Sequence, residues 1–429
     1  MTQNFYEKAK QKDREWSPIL GSYASSFDQS NGINYFAGNS LGLMPNGFRK
    51  KLLKHADIWQ TEQHNGHFKE DGTKSDRPWW KYQEKLVPTA SELLGASPNA
   101  KYPEVALFNT LSVNNRNLIE TFCTYLRDTS NGAEIPTIIS IKTNFPSDDV
   151  GLKYALRVVF GKKYKLVEVN PITGYGLYDF DKLIEIIENE PNVIMGFFPG
   201  LCYITGQRFP IQRITEALHK RDAIAGFDLA HSMGNYQLNL HNENVDFATF
   251  CGYKYLCGGP GAVGGIFVHE KWFDVPEFLY VSGWFGVHEK DRFNFNPESY
   301  RPAPGAWGFL QSNDQVFNTL GVEAYFELVE KHGKDNIFKK NEEISTFMYE
   351  CLSSIPKVNI ITPKPYSERG CQILFKAHMF KVDYVLGALK KRNFCEKRGG
   401  DAIRVAPLAY NKFSQVWEFA EDLHSCLQV

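Results

Sequence analysis

From about residue 80 to 280, segments with apolar residues every three to four positions alternate with short segments that are apolar without a break. The first pattern predicts amphipathic helices, and the second predicts strands buried on both faces. WWKYQEKLVPTASELLG then reads as a helix, PEVALFNT as a strand, NNRNLIETFCTYLRD as a helix, PTIISIK as a strand and SDDVGLKYALRVVFG as a helix. NVIMGFFPG follows as a strand, IQRITEALHKR as a helix, and AIAGFDLA, VDFATF and GGIFVHE as strands. Strands without polar alternation, separated by helices, predict an α/β fold built on a mainly parallel sheet.

Beyond residue 318 the pattern changes. LGVEAYFELVEKHG and KDNIFKKNEEISTFMYECLSSI are helical, whereas KVNIIT, GCQILFKA and AIRVAP read as strands interrupted by VDYVLGALKKRN, and the chain closes on a helix. Val382, Val385, Leu386 and Leu389 recur at helical spacing, as do Phe413, Val416, Trp417, Ala420 and Leu423, which marks them as core. The stretch 282–314 is long and irregular, and such segments inside compact proteins usually serve a function. A chain of 429 residues exceeds what one core commonly organises. We expect an N-terminal segment over 1–75 serving the small domain and the active site, a large domain over 76–318 and a small α+β domain over 319–429.

The composition excludes several function classes. A net charge of −1 with interspersed signs offers no field for nucleic acid or an anionic membrane, so the expected partner is a small molecule. The polar start, MTQNFYEKAKQKDREW, carries no secretory signal, and no segment is apolar for long enough to span a bilayer, which points to the cytoplasm. The eight cysteines lack zinc-ligand spacing and are expected to be reduced. His64 and His67 have no second ligand cluster beside them, so no metal is expected.

The chemistry begins with FCGYKYLCGGPG, where Lys254 lies among small and apolar neighbours just after a buried strand. A buried ammonium is costly unless it is paired or used, although a stem packed on Tyr253 and Tyr255 with its amine in water would be a plainer account. Asp228 ends the strand AIAGFD with His231 three residues on, and strand ends are where open α/β sheets hold ligands. NTLSVNN offers a strand-to-helix junction whose amides and hydroxyls, Thr110 and Ser112 among them, suit a phosphate. Phe145 ends another strand. Gly259, Gly261 and Gly264 satisfy a dinucleotide fingerprint, but they lead into a strand, so that reading fails. These pieces together match the needs of pyridoxal phosphate: an amine for its aldehyde, an anion for its ring nitrogen, an aromatic face and oriented donors for its phosphate. Lys254 is then the anchor, Asp228 the ring-nitrogen partner, Phe145 the stacker, and Leu111 and Ser112 the phosphate end.

Over nearly its whole length the chain also resembles the kynureninase family of fold type I pyridoxal-phosphate enzymes. YFAGNSLGLMP, HF…DRPWW, LFNTLSVN, FPSD, YITGQ, GFDLAHSMGN, CGYKYLCGGPG, SGWFG and RGCQ…CEKR…AIRVAP match its signatures in order. The resemblance implies a seven-stranded sheet and a cytoplasmic homodimer with shared active sites. The implied reaction is hydrolysis of L-kynurenine, or its 3-hydroxy form, to alanine and an anthranilate in tryptophan degradation. It also implies catalytic roles for Lys254, Tyr253 and Asp228, and it adds Pro146, Ser147, Asp148, His231, Trp284 and Asn313 to the cofactor shell. Arg404, His67, Asn313 and Ser40 are implied at the substrate. The chain departs from the family at Val287, where histidine is common, at Asp314, where proline is common, and in a longer HFKEDGTKSDRPWW. The rival readings are an aminotransferase, a cysteine desulfurase and a non-catalytic scaffold of the same fold.

Overall fold

A computed structural model describes residues 3–29, 31–68, 78–130 and 135–428. Helix α1 (Gln3–Ala24) and α2 (Gly47–Glu62) flank the short strand β1 (Asn34–Tyr35). Next come α3 (Val87–Leu94), β2 (Val105–Leu107), α4 (Leu111–Thr129), β3 (Thr137–Ile141), α5 (Pro146–Phe160), β4 (Lys165–Val169) and α6 (Phe180–Asn189). The central part closes with β5 (Val193–Pro199), α7 (Ile211–His219), β6 (Ile224–Asp228), β7 (Phe247–Phe250) and β8 (Gly265–Val268). Helices α8 (Val316–His332) and α9 (Lys334–Ser353) lead to β9 (Val358–Ile360), β10 (Ile373–Ala377), α10 (Val382–Leu389), β11 (Asn393–Phe394), β12 (Glu396–Arg398), β13 (Ala402–Val405) and α11 (Phe413–Cys426).

Seven strands form the main sheet in the order β2-β8-β7-β6-β5-β3-β4. The run from β7 to β4 is parallel, and β8 lies antiparallel to both of its neighbours. Strands β5 to β8 are buried almost throughout, as their unbroken apolar runs require. Strand β4 and helix α6 are not among the elements expected from the sequence. KLVEV sits at the sheet edge and is only half covered, so its pattern is mixed and the apolar signal weak. A second correction concerns WWKYQEKLVPTASELLG, which is not one helix. A tight turn of helix over Trp79–Lys85 ends before Pro88, and the proline opens α3 as an early helical residue.

The C-terminal part builds a four-stranded antiparallel sheet, β12-β13-β10-β9, and β1 pairs in parallel with β11. Thus the first forty residues are woven into the last part of the chain. Gly42 also docks this segment on the turn that carries Lys254. Its amide donates to the Tyr253 carbonyl at 2.9 Å, and a Cβ there would lie 2.3 Å from the Lys254 carbonyl oxygen. The irregular stretch 282–314 is no open loop. Two short helical turns, Trp284–Gly286 and Gly305–Phe309, set Phe285, Ala306 and Phe309 into the core with Leu310 just beyond, and the Trp307 indole donates to the Val105 carbonyl at 3.2 Å.

Candidate active site

Parallel strands deliver their C-terminal ends to the same edge of the sheet, and here three such ends are in register. Pro199 of β5 pairs with Asp228 of β6, which pairs with Thr249 of β7. Above them lies a cavity of about 210 Å³. Its walls include Leu111, Ser112, Phe145, Ser147, Asp148, Asp228, His231, Tyr253 and Lys254. All of these are residues that the sequence assigns to the site. Pro146 starts α5 and is not one of the wall residues.

Lys254 is buried, and its Nζ lies 3.0 Å from His231 Nε2. The amine does not escape to water along its stem. Burial, followed by the nearby Lys254 and Arg404 charges, holds the His231 imidazole well below its ordinary range. The other ring nitrogen, Nδ1, is buried without a hydrogen-bond partner among the described residues. Two carboxyl groups face this amine. Asp228 accepts from the Ala230 amide at 2.7 Å and from Asn115 Nδ2 at 3.1 Å, and the same Asn115 amide reaches Asp148 at 3.0 Å. Burial, then the neighbouring Asp228 charge, pushes the Asp148 carboxyl well above its ordinary value. Burial likewise pushes the Tyr253 phenol up, so it keeps its proton across the neutral range.

The residues fit pyridoxal phosphate on three counts. The buried Asp228 carboxyl makes no ion pair among the described residues, which leaves a place for a cation that a protonated pyridine ring would supply. Helix α4 begins at the cavity wall with no side chain capping its first turn, so amides near Leu111 and Ser112 remain for a phosphate. The Phe145 ring is 47% exposed, and its edge-on contact with Tyr203, at 5.2 Å between centroids, leaves a face for a planar ligand.

Arg404 lies close by but does not line the cavity. It is fully buried on β13, opposite Glu396 of β12, and is therefore not a surface ion pair. Its Nη2 donates to Glu396 at 2.6 Å and to Ser40 Oγ at 2.7 Å, and its Nη1 donates to the carbonyl of Tyr203, a cavity residue. Oriented with its oxygen inward, Asn39 accepts from Nε at 2.7 Å. Burial pushes Glu396 up, but Arg404, Ser40 and Arg398 together outweigh this and hold the carboxyl below its ordinary range. Sequence reasoning misses Asn115, Tyr203 and Glu396. Asn115 lies one helical turn after Leu111, a spacing that could reveal it.

The remaining site residues stand apart from this cavity within the chain. The Trp284 indole donates to the Arg292 carbonyl at 2.9 Å, and the His67 ring meets Trp79 edge-on at 5.4 Å. Asn313 sits half-buried in the turn before α8. Residues 69–77, which make up most of the long HFKEDGTKSDRPWW insertion, lie outside the described residues.

Fold and site together define a fold type I pyridoxal-phosphate enzyme. The aminotransferase class-V family model matches residues 159–412. Among solved structures, a C-DES mutant with glycine covalently linked to its pyridoxal-phosphate cofactor superposes with a TM-score of 0.72. It covers 93% of this chain and 98% of its own at 14% identity, which is a likeness of fold. Kynureninase from Monosiga brevicollis is 33% identical, covering 92% of this chain and 86% of its own length. Kynureninase from Flavobacterium psychrophilum is 33% identical over 98% of both chains. The chain belongs to the kynureninase family and is a pyridoxal-phosphate-dependent hydrolase acting on carbon–carbon bonds. Among the described residues no helix is long and apolar enough to cross a membrane.

Proposed function

We propose that this enzyme hydrolyses the Cβ–Cγ bond of L-kynurenine or 3-hydroxy-L-kynurenine, forming L-alanine and the corresponding anthranilate. The observation that carries the reading is the convergence on Lys254 of Asp228, Asp148, His231 and Tyr253, in a chain related over nearly its whole length to kynureninases. Lys254 would hold pyridoxal phosphate, which would supply a sink for the electron pair that the departing α-proton leaves. The freed Lys254 amine takes that proton, and Asp228 holds the ring nitrogen. Arg404, fixed by Glu396 and Ser40, receives the α-carboxylate on the side now closed by the Tyr203 carbonyl. Tyr253, which retains its proton, serves as the acid while water adds to the γ-carbonyl and Cβ–Cγ breaks.

The working unit in this proposal is a cytoplasmic homodimer with shared sites. Trp284, Asn313 and His67 lie off the cavity of their own chain, as residues serving a second copy would, and the eight cysteines are all free. The test is the product formed by purified holoenzyme from L-kynurenine. Alanine and anthranilate in equal amounts are expected. Amino transfer to an added 2-oxo acid, or sulfur release from cysteine, without any anthranilate would overturn the reading.

A further inference from the structure

A second polar groove lies between α1, α9 and α11, and none of its lining residues is shared with the active-site cavity. It encloses about 930 Å³. Lys340 of α9 lines it, although only 4% of that residue is exposed. Among the described residues its amine has no hydrogen-bond or ion-pair partner. The carboxylate nearest in charge, Asp13, is already engaged: its two oxygens accept the Phe413 and Ser414 amides at 2.7 and 3.0 Å, capping α11. Burial pushes the Lys340 amine down to about 8, against the opposing pull of Asp13 and with a small push from Lys412. Arg14 and Lys412 add two exposed cations to the groove, neither of them in an ion pair among the described residues. The groove therefore presents three cations against one occupied carboxylate, with Ser17 and Gln29 as further polar groups and the Trp16 ring on an apolar wall.

A buried ammonium without a partner is costly, and an anion that reaches it recovers that cost. Asp13 attracts that amine without reaching ion-pair distance, and no other carboxylate among the described residues pairs with it. We propose that this groove binds the oxyanion of a small metabolite, a phosphate or a carboxylate. Lys340 is the inner contact, and Arg14 and Lys412 hold the rim. This site is separate from the catalytic one and does not depend on the reaction assigned above.

Calorimetric titration of the cofactor-loaded enzyme with inorganic phosphate, and separately with succinate, tests the proposal at constant ionic strength set with chloride. At least one of the two anions should bind once per chain, beyond the cofactor's own phosphate, and the arm that responds identifies the oxyanion. Lys340→Met should weaken that binding at least tenfold while leaving kcat unchanged. It should also raise the thermal midpoint without ligand, because an unpaired buried charge is removed. Should Lys340→Met fail to fold, the surface variant Arg14→Gln/Lys412→Gln keeps the buried amine and should still weaken binding several-fold. Heats no greater than those of chloride, or equal affinity in wild type and variants, would overturn the proposal.

Discussion

Asp228 and Asp148 share one asparagine amide yet should contribute unequally to catalysis. Asp228 ends a central strand, and in the proposed reading it holds the ring nitrogen by charge. Asp228→Asn keeps the size and removes that charge, so cofactor attachment should persist while kcat falls by more than ~3 kcal/mol in barrier, as for other preorganised electrostatic groups. Stopped-flow and steady-state rates on the loaded variant decide this, and a near-normal kcat would remove Asp228 from the electron-sink role. Asp148 is the control. Burial and Asp228 push its carboxyl up, so an amide resembles the protonated acid, and Asp148→Asn should keep kcat/KM within about tenfold, some 1.4 kcal/mol.

At the scale of elements, the β12–β13 ladder sets the clamp proposed for the substrate carboxylate. Antiparallel register puts Glu396 directly opposite Arg404, so the sheet itself holds the guanidinium, and Ser40 is brought to both from the other end of the chain. Glu396→Gln should leave the cofactor spectrum unchanged. KM should rise with a smaller change in kcat, by roughly 1–3 kcal/mol in kcat/KM, the size of a lost hydrogen bond to a charged group. The pH dependence follows from the sign of the shift. The folded Glu396 carboxyl lies below its ordinary value of 4.5, so its contribution to stability is present above that pH and lost as pH falls through the lowered value. Acid unfolding of Glu396→Gln should lack this portion of the loss. Identical acid profiles for variant and wild type would show that the pair contributes nothing to folding.

At the scale of the whole molecule, the question is which residues would discriminate between the two proposed substrates. If His67 and Asn313 face the aromatic ring in the assembled enzyme, they sense the 3-hydroxyl, since a site built to hydrogen-bond a hydroxyl penalises its absence. His67→Ala and Asn313→Ala should each shift the ratio of kcat/KM for the two substrates a few-fold to about a hundredfold, with cofactor binding intact. An unchanged ratio in both would place them outside the substrate pocket. In the proposed reading Arg404 takes the carboxylate common to both substrates, so its replacement should weaken both alike and leave the ratio unchanged.

Much of the candidate site is legible in the amino-acid sequence because a parallel sheet sends all its strand ends to one side. Once AIAGFD and PTIISIK read as parallel strands, Asp228 and Phe145 must approach each other, and Lys254 follows in the turn after VDFATF. The same local signals set the order of the core helices and reject a dinucleotide site, since the glycine run leads into β8. The edge strand β4 escapes because a half-wet strand has no clear period. The tertiary structure alone decides what depends on distant pairing. Ser40 and Glu396 are 356 residues apart and meet through sheet register, and no local pattern encodes such a meeting. The charge of Lys340 is likewise plain in the sequence, whereas its want of a partner is not, because the packing of α1, α9 and α11 around it determines which groups can reach the amine.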